Sequence, residues 1–239
     1  MSKREELKAK RRKQLMQQRL TVIGIIVVGA LFISGILIYP SLAPVGAISV
    51  PTLVSYPQVK DNTMGDPNAP VKLTIYADFQ CPACGNWTKD NEPSFIAKYV
   101  ATNKVYFVYT PFSFIDDNGP GTESKDAAAA AFCAMDQGKF WQYHDMLYAN
   151  QTGENTGDFS AKRLAAFAQK LGLDMNQFNS CFNSGKYKST VLQDKAEGTT
   201  LGVSATPSFA INGKLVVIQS SYDELNAAID AALAASTKK

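Results

Sequence analysis

The sequence predicts an α/β domain that carries a helical insertion and is preceded by one membrane-spanning helix. Three observations carry this reading. Leu20 to Tyr39 is an uncharged apolar run. The element order beyond it is strand, helix, strand, about eighty residues of helical pattern, then strand, strand, helix. Two cysteines, Cys81 and Cys84, stand at the start of the first helix of that domain. At 239 residues and 46% hydrophobic composition, the chain can bury one core and still carry an appendage.

The appendage comes first. In LTVIGIIVVGALFISGILIY, roughly 20 residues rising ~1.5 Å each as a helix span the ~30 Å hydrocarbon core of a bilayer. A cleaved secretory signal is the competing reading, with Val45 and Ala47 as a small-residue cleavage site. Such signals have apolar regions of about 7 to 15 residues, so the longer run predicts a retained anchor. Before it stand Lys3, Arg4, Lys8, Lys10, Arg11, Arg12, Lys13 and Arg19 against Glu5 and Glu6, and no charge follows until Lys60. The positive-inside rule then makes residues 1–19 a basic cytosolic tail, residues 20–39 a single-pass anchor in the cell membrane, and the rest extracytoplasmic. Eight cations and two acids put +6 in the first forty residues, so with +3 overall the remainder carries −3. The basic tail is a topology signal, and a nucleic-acid partner is not expected.

Residues 40–63 read as a linker, with Pro40, Pro44, Pro51 and Pro57 and one short strand near Leu53 to Tyr56. Treated as a flexible coil, the 30 residues from 41 to 70 average ~30 Å end to end. The domain occupies residues 64–239, with its helical insertion at about 122–202. Val71 to Ala77 and Lys104 to Tyr109 are β-branched and aromatic strands. Between them Cys81 to Val100 reads as one helix, with Pro82 at its first position and Pro93 kinking it. The insertion contributes helices at Glu123 to Gln137, Phe140 to Ala149, Ala161 to Leu171, Met175 to Phe182 and Lys186 to Leu201. Gly172 and Gly202 stand where helices end. Ser208 to Ile211 and Lys214 to Ile218 flank Asn212-Gly213, a hairpin signal, and Asp223 to Ala235 is a final helix.

All four cysteines, Cys81, Cys84, Cys133 and Cys181, lie beyond the anchor, where an oxidising compartment favours disulfides. Cys81 sits at a helix start, where unpaired N–H groups and the macrodipole stabilise a thiolate below the reference pKa of about 8.5. Cys84, one turn on and less exposed, can resolve a mixed disulfide. Each pKa unit of that stabilisation is ~1.4 kcal/mol, or about 30 mV for a two-electron couple. A zinc half-site is the alternative for the C-x-x-C. Zinc needs two more ligands, and only Cys133, Cys181 and His144 remain to supply them.

Three runs go further: MGDPNAPVKLTIYADFQCPAC (Met64 to Cys84), CAMDQGKFWQYHDMLYANQ (Cys133 to Gln151) and GVSATPSFAINGK (Gly202 to Lys214). Together they resemble the DsbA-like thiol-disulfide oxidoreductases, particularly membrane-anchored bacterial forms, over roughly residues 60 to 236. The resemblance implies a thioredoxin fold with an inserted α-helical subdomain. It makes Cys81 the nucleophile and Cys84 the resolving thiol, with Pro82 and Ala83 between them. It makes Thr206-Pro207 the cis-proline loop that pairs with substrate backbone, where an ordinary trans-proline is the alternative. It further implies exported protein substrates with free thiols, a membrane reoxidising partner of the DsbB or VKOR type, and no cofactor. Two positions depart from the family. Ala83 stands where the most oxidising members carry histidine. Ile75, six before Cys81, stands where thioredoxin-fold enzymes often place a buried acid, so no carboxylate serves Cys84 from the usual place.

Cys133 and Cys181 fall on different helices of the insertion. A second redox pair or a metal site is conceivable there, but a structural disulfide is the expectation, and closing such a loop contributes ~4 kcal/mol in the chain-entropy model. His144, the sole histidine, is expected to be a helix residue with a structural hydrogen bond rather than part of a metal site or a Cys-His-Asp hydrolase. Trp87, Phe140, Trp141, Tyr143 and Phe167 are expected in the core. No glycine-rich loop implies a nucleotide. The leading function is an oxidase that donates the Cys81–Cys84 disulfide to exported proteins. The alternatives are a reductase or isomerase in the same compartment, a zinc- or copper-holding module, and a redox-inert scaffold, the last disfavoured by the presence of both cysteines.

Overall fold

The computed structural model describes residues 3–42, 44–52, 54–218 and 221–237. It divides into two compact units, one ending at Val45 and one beginning at Gly46. The first holds a single helix, α1 (Lys3–Leu42). Tail and anchor, separate segments in the sequence reading, are thus one helix. Residues 8–20 are Ala, Lys, Arg, Gln, Leu and Met alone, all good helix formers. The stretch Lys10–Ile36 is long and apolar enough to cross a membrane.

The second unit is built on five strands: β1 (Thr63–Met64), β2 (Val71–Ala77), β3 (Val105–Pro111), β4 (Ser208–Ile211) and β5 (Lys214–Val216). They lie in the order β1-β3-β2-β4-β5. β2 and β3 run parallel, with Ile75 opposite Tyr109, and the remaining pairs are antiparallel. A parallel pair requires a crossover, here the helical segment after Cys81. Every second residue faces the core: Val71, Leu73, Ile75 and Ala77 of β2, and Val105, Phe107 and Tyr109 of β3. Asn212 and Gly213 turn the β4–β5 hairpin with φ of +48° and +79°, as an Asn-Gly turn requires. The two-residue β1 is too short to leave a periodic signal.

The helix expected over Cys81–Val100 is in three pieces: α2 (Pro82–Asp90), a four-residue α3 (Glu92–Phe95) and a π-helical turn at Ile96–Val100. Pro93 is the cause, since it cannot donate back into α2 and fits only a first turn, the place it takes in α3. A 3-10 turn at Ile115–Asn118, not predicted by the sequence, leads into the insertion. There stand α4 (Glu123–Met135), α5 (Phe140–Ala149), α6 (Ala161–Lys170), α7 (Met175–Ser184) and α8 (Lys188–Leu201), and α9 (Tyr222–Ser236) closes the fold. Gly172 and Gly202 follow α6 and α8 with φ of +69° and +98°, as expected of helix ends. Helix α8 approaches the sheet at Gly198, where a Cβ would lie 2.8 Å from the Phe112 ring. Trp87, Phe140, Trp141, Tyr143 and Phe167 are all buried, as the packing reading expects.

The segment read as a flexible linker is laid along the domain from Gly46 onward. Ser49 donates its N–H to Asn150 Oδ1 (2.8 Å) and accepts from Asn150 Nδ2 (2.7 Å). The Tyr56 hydroxyl donates to the Asp145 carboxylate at 2.7 Å, and its ring lies 5.6 Å from that of Trp141. Ile48 and Tyr56 pack on the core. The docking has a simple cause. Asn150 ends α5 with its amide oxygen and one amide N–H turned to a whole peptide unit while Nδ2 also donates to the Met146 carbonyl, and two apolar side chains gain burial on the same path. Of the strand expected near Leu53 to Tyr56, Leu53 lies outside the described residues and residues 54–56 form no strand.

Candidate active site

Strand β2 ends at Ala77, and the turn Asp78-Phe79-Gln80 delivers Cys81 as the N-cap residue of α2, with Pro82 following in the first turn. Pro82 and Ala83 complete that turn, and Cys84 lies one turn inward. Cys81 is 7% exposed and Cys84 1%, and both carry free sulfur. Across from them, just before β4, lies Thr206-Pro207, joined by a cis peptide bond. The Cys81 thiol donates to the Thr206 carbonyl at 3.3 Å. The Thr206 hydroxyl is buried without a partner of its own and turned toward both sulfurs. Residues 125 positions apart in sequence thus share one site.

The two thiols are driven apart. The Cys81 pKa is lowered to about 6, first by the Cys84 thiol donating to it, then by Thr206 and the backbone N–H groups of Cys84 and Ala83, against the opposing effect of burial. The Cys84 pKa is raised well above the ordinary thiol value, first by burial and then by its donation to Cys81. The sequence points to the helix start as the cause of the Cys81 shift. The N–H groups do contribute, but the neighbouring thiol contributes more.

A buried polar network stands behind the turn and is absent from the sequence reading. The Asp78 carboxylate accepts from Gln80 N (2.9 Å), Ile115 N (3.1 Å) and Ser124 Oγ (2.6 Å). Asp116 accepts from the N–H groups of Ser124 (3.0 Å) and Lys125 (3.0 Å), and Gln80 Nε2 donates to Ser124 Oγ (2.8 Å). Burial pushes Asp78 up to about 6, against the hydrogen bonds that hold its charge. Its one local signal is the bond to Gln80 N, two residues on, a turn typical of Asp just after a strand. Ser124, Ile115 and Asp116 lie some forty residues away along the chain and leave no such trace.

The remaining candidates fall elsewhere. Cys133 and Cys181 are joined as a disulfide between α4 and α7, with Cα atoms 5.8 Å apart. His144 is fully buried on α5, its Nδ1 3.0 Å from Asp145 Oδ1 and its Nε2 4.0 Å from Glu92. The three residues from which a zinc site would draw its two further ligands are therefore engaged in other contacts. Among the described residues no group of three or more His, Cys, Asp or Glu side chains is placed to hold a metal ion.

A family model described as thioredoxin matches residues 58–231. The "Probable disulfide bond formation protein D" of Bacillus anthracis is 31% identical over 171 residues, covering 70% of this chain and 76% of its own length. Among solved structures, oxidised BdbD from Bacillus subtilis matches with a TM-score of 0.65 at 22% identity, over 73% of this chain and 93% of its own. Oxidised Mtb DsbA matches with a TM-score of 0.58 at 27% identity, over 72% of this chain and 92% of its own.

Proposed function

The chain belongs to the DsbA-like thiol-disulfide oxidoreductases, and from that premise we propose that it is an extracytoplasmic oxidase that passes the Cys81–Cys84 disulfide to exported proteins. A substrate thiolate attacks Cys81 Sγ, the Cys81–Cys84 bond breaks, and Cys84 leaves and takes up a proton. A second substrate thiolate attacks the substrate sulfur of the mixed disulfide, and Cys81 leaves as thiolate. The substrate loses two electrons and the pair gains them. A membrane partner of the DsbB or VKOR type then removes them. Thr206 and Pro207 hold the substrate backbone beside Cys81.

The observation that carries this reading is the asymmetry of the two thiols. A Cys81 thiolate stabilised to about pH 6 makes the reduced state the favoured product, at about 30 mV per pKa unit. Equilibration of Cys81–Cys84 with glutathione buffers tests the direction. The expected potential is at or above about −180 mV, in the range of disulfide isomerase and oxidases, and a value near about −270 mV, that of thioredoxin, would make the protein a reductase.

The helix α1 fits a single-pass anchor, and its charge asymmetry supports a cytosolic tail. Protease added to spheroplasts is expected to remove the domain and spare residues before Leu20. Recovery of a soluble form beginning near Ile48 would show instead that the apolar run is a cleaved signal.

A further inference from the structure

Asp78 makes more contacts around the two sulfurs than any part of its sequence context announces. Its backbone N–H faces the Cys84 sulfur. Its carbonyl accepts from the Cys81 N–H at 3.0 Å and from the Tyr148 hydroxyl at 3.4 Å. That hydroxyl in turn lies 2.7 Å from the hydroxyl of Tyr109. Tyr109 is fully buried and Tyr148 partly so, and both feel the charge of Cys84 and of Asp78. Asp78 is 1% exposed, and its carboxylate is fixed to Ile115 of the 3-10 turn and to Ser124 of the insertion. The groups that face Asp78 are Asp116 from the side of the insertion, with Lys125 beside it, Tyr109 from β3, Tyr148 from α5, and Cys81 and Cys84 at the start of α2. Of the two charges in the first pair, Lys125 Nζ is 3.6 Å from Asp116, so the cation there is already engaged.

We propose that Asp78 is a positioning residue for thiol exchange: its clamped carboxylate fixes the turn whose N–H faces Cys84 and is the standing negative charge against which Cys84 must ionise. The proposal rests on the reading of Cys81 and Cys84 as the exchanging pair. In a mixed disulfide on Cys81, Cys84 loses its proton to solvent and its thiolate attacks Cys81 Sγ. The bond from Cys81 to the partner sulfur breaks, and the partner leaves as thiolate. An ionised Asp78 makes the first of these steps harder, a protonated one easier.

The test follows that step with the Cys81 thiolate out of the titration. Glutathione disulfide is added to the reduced protein, the Cys81–glutathione adduct is acid-quenched, and its loss is timed by mass spectrometry from pH 5 to pH 8. In the wild type the rise of rate with pH is expected to flatten near pH 6, where Asp78 ionises. In Asp78→Asn that flattening disappears, and the ratio of variant to wild-type rate grows by about three- to tenfold between pH 5 and pH 7, tenfold corresponding to one pKa unit on Cys84. A uniform loss of positioning cancels in that ratio. Ser124→Ala keeps the charge but removes a donor to it, so the flattening moves to higher pH. Thermal melting checks that each variant is folded. Wild type and both variants giving parallel curves would leave Asp78 a scaffold residue and overturn the proposal alone. A wild type that forms no adduct on Cys81 overturns the reading of the pair and the proposal with it.

Discussion

Alkylation of the reduced protein across a pH series is expected to modify Cys81 with an inflection near pH 6, while Cys84 lags behind it at every pH. The size of the effect on catalysis is set by two opposing terms. At pH 7 a thiol of pKa 6 is about 90% thiolate and one of pKa 8.5 about 3%, a gain near thirtyfold, but nucleophilicity falls with a Brønsted slope of about 0.4–0.5 and returns most of it. Attack by Cys81 is therefore only about two- to threefold faster at pH 7, whereas its departure as a leaving group gains with every unit of the shift. Cys81→Ala is expected to abolish exchange and to trap no substrate. Cys84→Ala is expected to accumulate mixed disulfides, seen as diagonal bands on non-reducing then reducing gels. Cys84 also makes the largest contribution to lowering Cys81, so the Cys84→Ala inflection should move upward from pH 6, and trapping should strengthen as pH rises. Equal alkylation of the two cysteines throughout would remove the basis of the mechanism.

Replacing Cys133 and Cys181 together by Ala is expected to cost about 4 kcal/mol, since the bond closes a separation of 48 residues. For a domain of this size that corresponds to a fall in Tm of roughly 8–16 °C, measured by circular dichroism. Both residues are buried between α4 and α7, so some of the loss also comes from the emptied space. Exchange through Cys81 and Cys84 should remain measurable in the variant below its melting range. Loss of exchange at an unchanged Tm would mean that the bond takes part in the chemistry.

What the sequence discloses and what it withholds divide along the distance over which each feature is determined. Strand β2, the Asn212-Gly213 hairpin and the five insertion helices are written in periodicities and turn residues a few positions apart, and the structure places them within two or three residues of expectation. Cys81 and Cys84 announce themselves by spacing and by their place after a strand. Thr206 and Pro207 emerge through resemblance, because nothing local ties them to a site 125 residues earlier. The clamp on Asp78 is invisible for the same reason without that help, since its donors Ile115 and Ser124 reach it only through tertiary packing. Residues 46–62 mislead in the opposite way. Their prolines read as a spacer, yet Asn150, 101 residues on, supplies the partner that holds Ser49 in place.

That docked segment also moves the edge of the independently folding piece. Similarity to the thioredoxin family begins at residue 58, but the compact unit begins at Gly46. A soluble form trimmed to the similarity would lack Ser49 and Tyr56, taking from Asn150 and Asp145 the partners that segment supplies and uncovering the indole of Trp141. Such a form would carry a fresh sticky patch on its flank, prone to self-association, whereas one trimmed just ahead of Gly46 keeps its own cover.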